Sequence, residues 1–92
     1  MVYLLGRSPV EDFEAWKSAF DSIDSFRTDH GQQGYQVFQS VEDPNEAVVL
    51  FEWDDDEDPK TFFRSEEMRE RLDNAGVKGQ PELSALKLVD QT

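Results

Sequence analysis

At 92 residues, 37% hydrophobic and 12% aromatic, the chain has the composition of one globular domain, expected to span residues 1–92, with little core to spare. Its 21 Asp plus Glu against 9 Lys plus Arg give a net charge of −12, which repels phosphate backbones and excludes nucleic acid and anionic membranes as expected partners. The absence of cysteine excludes disulfides, thiolate nucleophiles and cysteine-held metals, and no apolar run nears the roughly 20 residues of a membrane span.

Val2 to Gly6 reads as the first strand. The opening Met1-Val2-Tyr3-Leu4-Leu5 is too short for a signal-peptide core and follows no basic region, so a cytoplasmic protein is expected. Ser8-Pro9-Val10-Glu11-Asp12 then predicts a helix start, with Ser8 as cap and Pro9 in the first turn. Val10, Phe13, Trp16, Phe20, Ile23 and Phe26 recur at three- and four-residue steps, the apolar stripe of one helix that Asp29-His30-Gly31 ends. Gly34 to Glu42 reads as strand two, and Asp43-Pro44-Asn45-Glu46 as a tight turn into strand three.

Strand three, Ala47-Val48-Val49-Leu50-Phe51-Glu52-Trp53, is apolar on both faces. Ala47, Val49, Phe51 and Trp53 point one way, Val48 and Leu50 the other. A strand with one wet face alternates apolar and polar, so this one requires cover on both sides. The two expected helices cover one side, which leaves a second copy of the chain to cover the other. After the acidic loop Asp54 to Asp58, Asp58-Pro59 predicts a second helix with Phe62 and Phe63 inward. Ser65-Glu66-Glu67 reads as a fresh N-cap that breaks or kinks this helix, and Met68, Leu72 and Ala75 continue its apolar side. Asn74 to Gly79 is a glycine-containing connection, and Glu82 to Val89 reads as strand four. The order βαββαβ predicts an α+β, ferredoxin-like fold: a four-stranded antiparallel sheet with two helices on one face.

Asp12-Phe13-Glu14-Ala15-Trp16-Lys17, Arg27 with His30-Gly31, Asp43-Pro44-Asn45-Glu46, Phe63-Arg64-Ser65 and Ala75-Gly76-Val77 together resemble the dimeric α+β-barrel superfamily, which includes the antibiotic biosynthesis monooxygenases and cyclase-like small proteins. The resemblance implies a homodimer whose sheets pack face to face into a barrel, with small molecules bound between each sheet and its own helices. It also implies either non-catalytic binding or oxygenation of a phenolic substrate without metal or flavin. The haem-degrading branch of the superfamily relies on an Asn, a His and a Trp that this chain does not match.

His30, the only histidine, is the candidate base, or an exposed residue at a helix end. Arg27 is the candidate anion binder, or an ion-pair partner of Asp24 or Asp29. With Tyr35 these form the expected catalytic group at the mouth of a pocket walled by Trp16, Phe20 and Phe63, the expected ligand-binding residues; the same aromatics read equally as core. The resemblance implies that no cofactor is needed, so the absence of a phosphate loop or Ser-His-Asp set counts neither way, and no metal is expected because His30 alone is too few ligands. Three readings stay open: a binder of a small apolar or aromatic molecule, a cofactor-free monooxygenase or cyclase-like enzyme, and a structural or regulatory dimer without ligand. The dispersed acids and only four lysines point to high-salt adaptation or to a plainly acidic surface.

Overall fold

The alternating burial of strand three organises the molecule. In the computed structural model, which describes residues 1–92, Ala47, Val49, Phe51 and Trp53 are buried and the residues between them are half-covered. The elements are β1 (Val2–Pro9), α1 (Phe13–Ser22), α2 (Asp24–Thr28), β2 (Gln32–Gln39), β3 (Glu46–Trp53), α3 (Pro59–Arg64), α4 (Glu66–Asn74) and β4 (Glu82–Leu86). The strands form one antiparallel sheet in the order β2-β3-β1-β4, the ferredoxin-like arrangement expected from the βαββαβ pattern. Leu4 pairs with Phe51, and Tyr35 with Phe51 from the other side, so Phe51 stands at the centre of the covered face. Twelve buried side chains form one core between that face and the helices.

Each expected helix is two short ones. Ile23 leaves the helical region (φ −110, ψ 20) and separates α1 from α2. At the break the Phe20 carbonyl accepts from the Ile23 amide at a long 3.4 Å and from Arg27 Nη1 at 2.8 Å. Ser65 caps α4 as its sequence context predicts, its hydroxyl accepting from the Met68 amide at 3.3 Å.

Several boundaries are corrected. Ser8 and Pro9 continue β1, opposite Ala47 and Glu46, instead of opening a helix. Pro9 sits in the last pair of the β1–β3 ladder, where a missing amide is tolerated, and Asp12 caps α1 in place of Ser8. Val10 belongs to a bridge with Val77 and not to the helical stripe. Strand two begins at Gln32 with a register irregularity before Gly34 and ends at Gln39, leaving Val41 fully exposed. Strand four stops at Leu86 opposite Tyr3, and Lys87 to Val89 run on unpaired.

The helix-free face carries Tyr3, Leu5, Phe38, Val48, Leu50 and Leu86. Phe38 is 50% and Leu86 42% exposed; no helix covers this face, which also carries Arg7, Gln36 and Glu52. No helix is long and apolar enough to cross a membrane.

Candidate functional site

Between the helices and the covered sheet face lies an internal cavity of about 40 Å³. Trp16 and Phe20, one turn apart on α1, form one wall; their rings lie 5.1 Å apart. Phe63 of α3 closes another, 5.0 Å from the Phe51 ring. Ala47, Val49 and Phe51 make the floor with Gly6, whose missing side chain leaves room beside Leu83 and Phe51. Ile23, Leu72, Ala75, Pro81 and Leu83, all half-exposed, surround the opening. Of fifteen lining residues eleven are hydrophobic, and only Ser8 and Arg71 bring polar side chains. The volume is close to the roughly 30 Å³ share of one liquid water, so a ring-sized ligand must displace wall side chains as it enters.

Arg71 reaches this cavity from α4. Its guanidinium lies 4.2 Å over the Phe26 ring, and Nη2 donates to Glu67 at 3.3 Å. Nε is buried and no protein acceptor reaches it. The sequence reading singled out neither Arg71 nor Ser8. The signal for Arg71 was its place three residues past Met68, on the same side of α4; the i,i+4 spacing from Glu67 suggested an ordinary surface pair instead.

Of the residues expected at the site, Trp16, Phe20 and Phe63 meet at the cavity, whereas Arg27, His30 and Tyr35 do not line it. Arg27 is completely buried. Its donors go to Gln32 Oε1 at 2.7 Å, the Phe20 carbonyl at 2.8 Å and Asp24 Oδ1 at 3.3 Å. Burial lowers its pKa, opposed chiefly by the neighbouring Asp24 carboxylate. The guanidinium sits 3.7 Å from the Phe20 ring centre and 5.6 Å from that of Tyr35, so Arg27 and Tyr35 converge on Phe20 and support a cavity wall from outside. Tyr35 is 39% exposed and meets Phe20 edge-on at 5.1 Å.

His30 stands apart. Its exposed ring packs 4.9 Å from both Phe26 and Phe62, and Nδ1 donates to the Phe26 carbonyl at 2.8 Å. It borders a separate surface cleft shared with Glu57 and Asp58. The backbone carbonyl of His30 accepts the Trp53 indole N–H at 3.0 Å, a structural tie between the end of α2 and β3. No three His, Asp or Glu side chains converge on a point that would hold a metal.

A family model described as antibiotic biosynthesis monooxygenase matches residues 8–72. No curated protein sequence matches the chain. Among solved structures, a Bordetella bronchiseptica protein that carries the same family description superposes with a TM-score of 0.75 at 14% identity, covering 96% of each chain. SnoaB, a cofactor-independent oxygenase from Streptomyces nogalater, gives 0.74 at 15% identity over 98% of this chain and 94% of that one. A conserved protein from Methanosarcina mazei Go1 gives 0.68 at 18% identity over 94% and 90%. At these identities the structural likenesses speak for the fold.

Proposed function

The chain belongs to the antibiotic biosynthesis monooxygenase family, and from that premise we propose that it binds a small apolar or aromatic molecule between its sheet and its helices. The cavity lined by Trp16, Phe20, Phe63 and Phe51 carries this reading, since eleven of its fifteen lining residues are hydrophobic and ligand sites are built of such walls with few polar groups. Entry requires Phe63, Leu72 or Ile23 to yield, and the non-helical joints at Ile23 and Ser65 are where the helical layers can shift. Arg27 and Tyr35 serve the site by fixing Phe20, and His30 acts outside the cavity.

The test is a titration of naphthalene- and anthrone-type molecules, read by quenching of tryptophan fluorescence from Trp16 and by thermal shift. Ligand at about 100 times its Kd stabilises the folded state by about 2.7 kcal/mol, so a binder must move the melting midpoint by several degrees. Absence of both quenching and shift at millimolar ligand refutes the reading. The second reading, oxygenation of that molecule without a cofactor, is favoured by the family match and by the likeness to SnoaB. Oxygen uptake with anthrone-type substrates tests it; binding without uptake leaves a binding protein.

The homodimer belongs to the same proposal. Two copies of the face bearing Tyr3, Leu5, Phe38, Val48, Leu50 and Leu86 bury one another by two-fold symmetry. A groove of about 780 Å³ on this face, bordered by Tyr3, Leu50, Leu86, Leu88 and Val89, gives the partner's side chains a place to enter.

A further inference from the structure

The sheet has two open edges, β2 and β4, and only one of them is marked against pairing. β4 is short, follows Pro81, begins at Glu82 and runs into Lys87, and such prolines and charges keep foreign strands away. β2 carries no such marks. Gly31 to Val41 is the longest stretch without a charged side chain in a chain that is 33% charged. Within it Gln33, Tyr35, Gln36, Phe38 and Gln39 are exposed.

The ladder fixes which backbone groups stay open. The Ser40 amide donates to the Glu46 carbonyl at 3.1 Å, and β2 runs in regular register from Gly34 opposite Glu52 to Gln39 opposite Ala47. Hydrogen-bonded and non-bonded pairs alternate in an antiparallel ladder, so Phe38 and Gln36 turn their amides and carbonyls to β3. The Val10 amide, bonded to the Asn45 carbonyl at 2.8 Å, gives β3 the matching phase: Ala47 and Val49 serve β1, Val48 and Leu50 serve β2. The amides and carbonyls of Tyr35, Val37 and Gln39 therefore point out of the sheet along its open edge.

We propose that this edge pairs with β2 of a second copy, antiparallel about a two-fold axis at Val37. Tyr35 then lies opposite the partner's Gln39, Val37 opposite the partner's Val37, and Gln36 opposite the partner's Phe38. In that register every outward amide and carbonyl of one strand meets its complement on the other, and no charge opposes another across the joint. A net charge of −12 resists close approach of two copies, and an uncharged strand is where that resistance is least. The contact is separate from the helix-free face and independent of it. Pairing along one short strand covers far less than the roughly 1,200 Å² of a stable interface, so it forms at high protein concentration and in salt that screens the acids.

The absence of cysteine makes the register directly testable. Pairing at Val37 brings the two Val37 Cα atoms to about 5.5 Å, within disulfide reach, and holds the two Gln33 Cα atoms more than roughly 20 Å apart. Val37→Cys and Gln33→Cys are each made in the Leu50→Glu background, which removes the face contact, and are oxidised at about 0.5 mM protein in about 1 M KCl. Val37→Cys is expected to form covalent dimer about tenfold faster, although Gln33 is the more exposed position. In Leu50→Glu without added cysteine, amide exchange at Tyr35, Val37 and Gln39 should slow about tenfold between roughly 20 μM and 0.5 mM protein, while Phe38 stays unchanged. Val37→Pro removes one outward amide and leaves the β3 ladder intact. Thermal melts establish that it is folded, and it should lose the concentration-dependent protection at Tyr35 and Gln39. Equal cross-linking of the two cysteine variants, or exchange independent of concentration, overturns the proposal. Preferential cross-linking of Val37→Cys to Leu88→Cys in a mixture also overturns it, by assigning the edge to the C-terminal segment of another copy.

Discussion

Gly31→Ala is the sharpest test of how this core is held together. Gly31 follows α2 with φ +118, a conformation that L side chains rarely adopt. A Cβ there would lie 2.6 Å from Trp53 Nε1, closer than real Cβ contacts come, and a tight 3.0 Å from Trp53 Cδ1. The indole cannot retreat: Trp53 is fully buried, its rings lie 5.3 Å from Phe62 and 5.7 Å from Phe63, and Nε1 donates to the His30 carbonyl. Gly79 supplies the control. Its φ is +71, yet a Cβ there meets nothing within 4 Å. Gly79→Ala therefore carries the backbone cost alone, about 1 kcal/mol. Gly31→Ala adds overpacking of about 1–3 kcal/mol to a similar or larger backbone term, so its expected loss is about 3 kcal/mol or more. For a domain of this size each kcal/mol moves the melting midpoint by about 4–8 °C, which separates the two variants clearly. Urea and thermal unfolding at one fixed protein concentration measure both, since self-association would otherwise shift the midpoints. A Gly31→Ala protein no less stable than Gly79→Ala would mean that Trp53 yields freely and that the aromatic core is looser than described.

Arg27→Met is expected to cost about 2 kcal/mol in urea unfolding, because Gln32 Oε1 loses its buried donor and the Phe20 carbonyl keeps only the long bond from the Ile23 amide; a loss under about 0.5 kcal/mol would refute that role. Asp58 is held below the ordinary carboxylate range, chiefly by the Thr61 hydroxyl, so its contribution to the start of α3 is full above the unfolded value near pH 4. That contribution is lost as pH falls through the lower folded value, and acid melts of Asp58→Asn should accordingly show a flatter decline than the parent. Melting midpoints should rise with KCl up to about 0.5–1 M as the net charge of −12 is screened; a flat or falling midpoint argues against self-repulsion as a limit on stability. Sedimentation at micromolar concentration should give twice the 10.6 kDa chain mass for the parent and the single chain for Leu50→Glu, and a persistent monomer in the parent would remove the dimer proposal.

Local chemistry determined most of the fold. The apolar strand Ala47 to Trp53, the turn at Asp43 to Glu46, the cap at Ser65 and the glycine after α2 are each written in neighbouring residues, and the structure carries all of them. Where competing partners lay far away in sequence, local signals misled. Ser8 and Pro9 have the chemistry of a helix start, but ladder bonds to β3 claim them for the sheet. The apolar stripe from Phe13 to Phe26 runs at helical spacing through Ile23, and only the packed molecule shows the break there, with Arg27 donating to the Phe20 carbonyl beside it. The walls of the cavity were legible because Trp16 and Phe20 share a helix face and Phe63 heads the next apolar run. Its polar corner was not. Successive helical residues point about 100° apart, so the face that a charged residue presents depends on how its helix is seated, a property of the tertiary contacts. Packing directed Arg27 toward β2, His30 toward Phe62 and Arg71 over Phe26, and no pattern within the chain ranks those three outcomes.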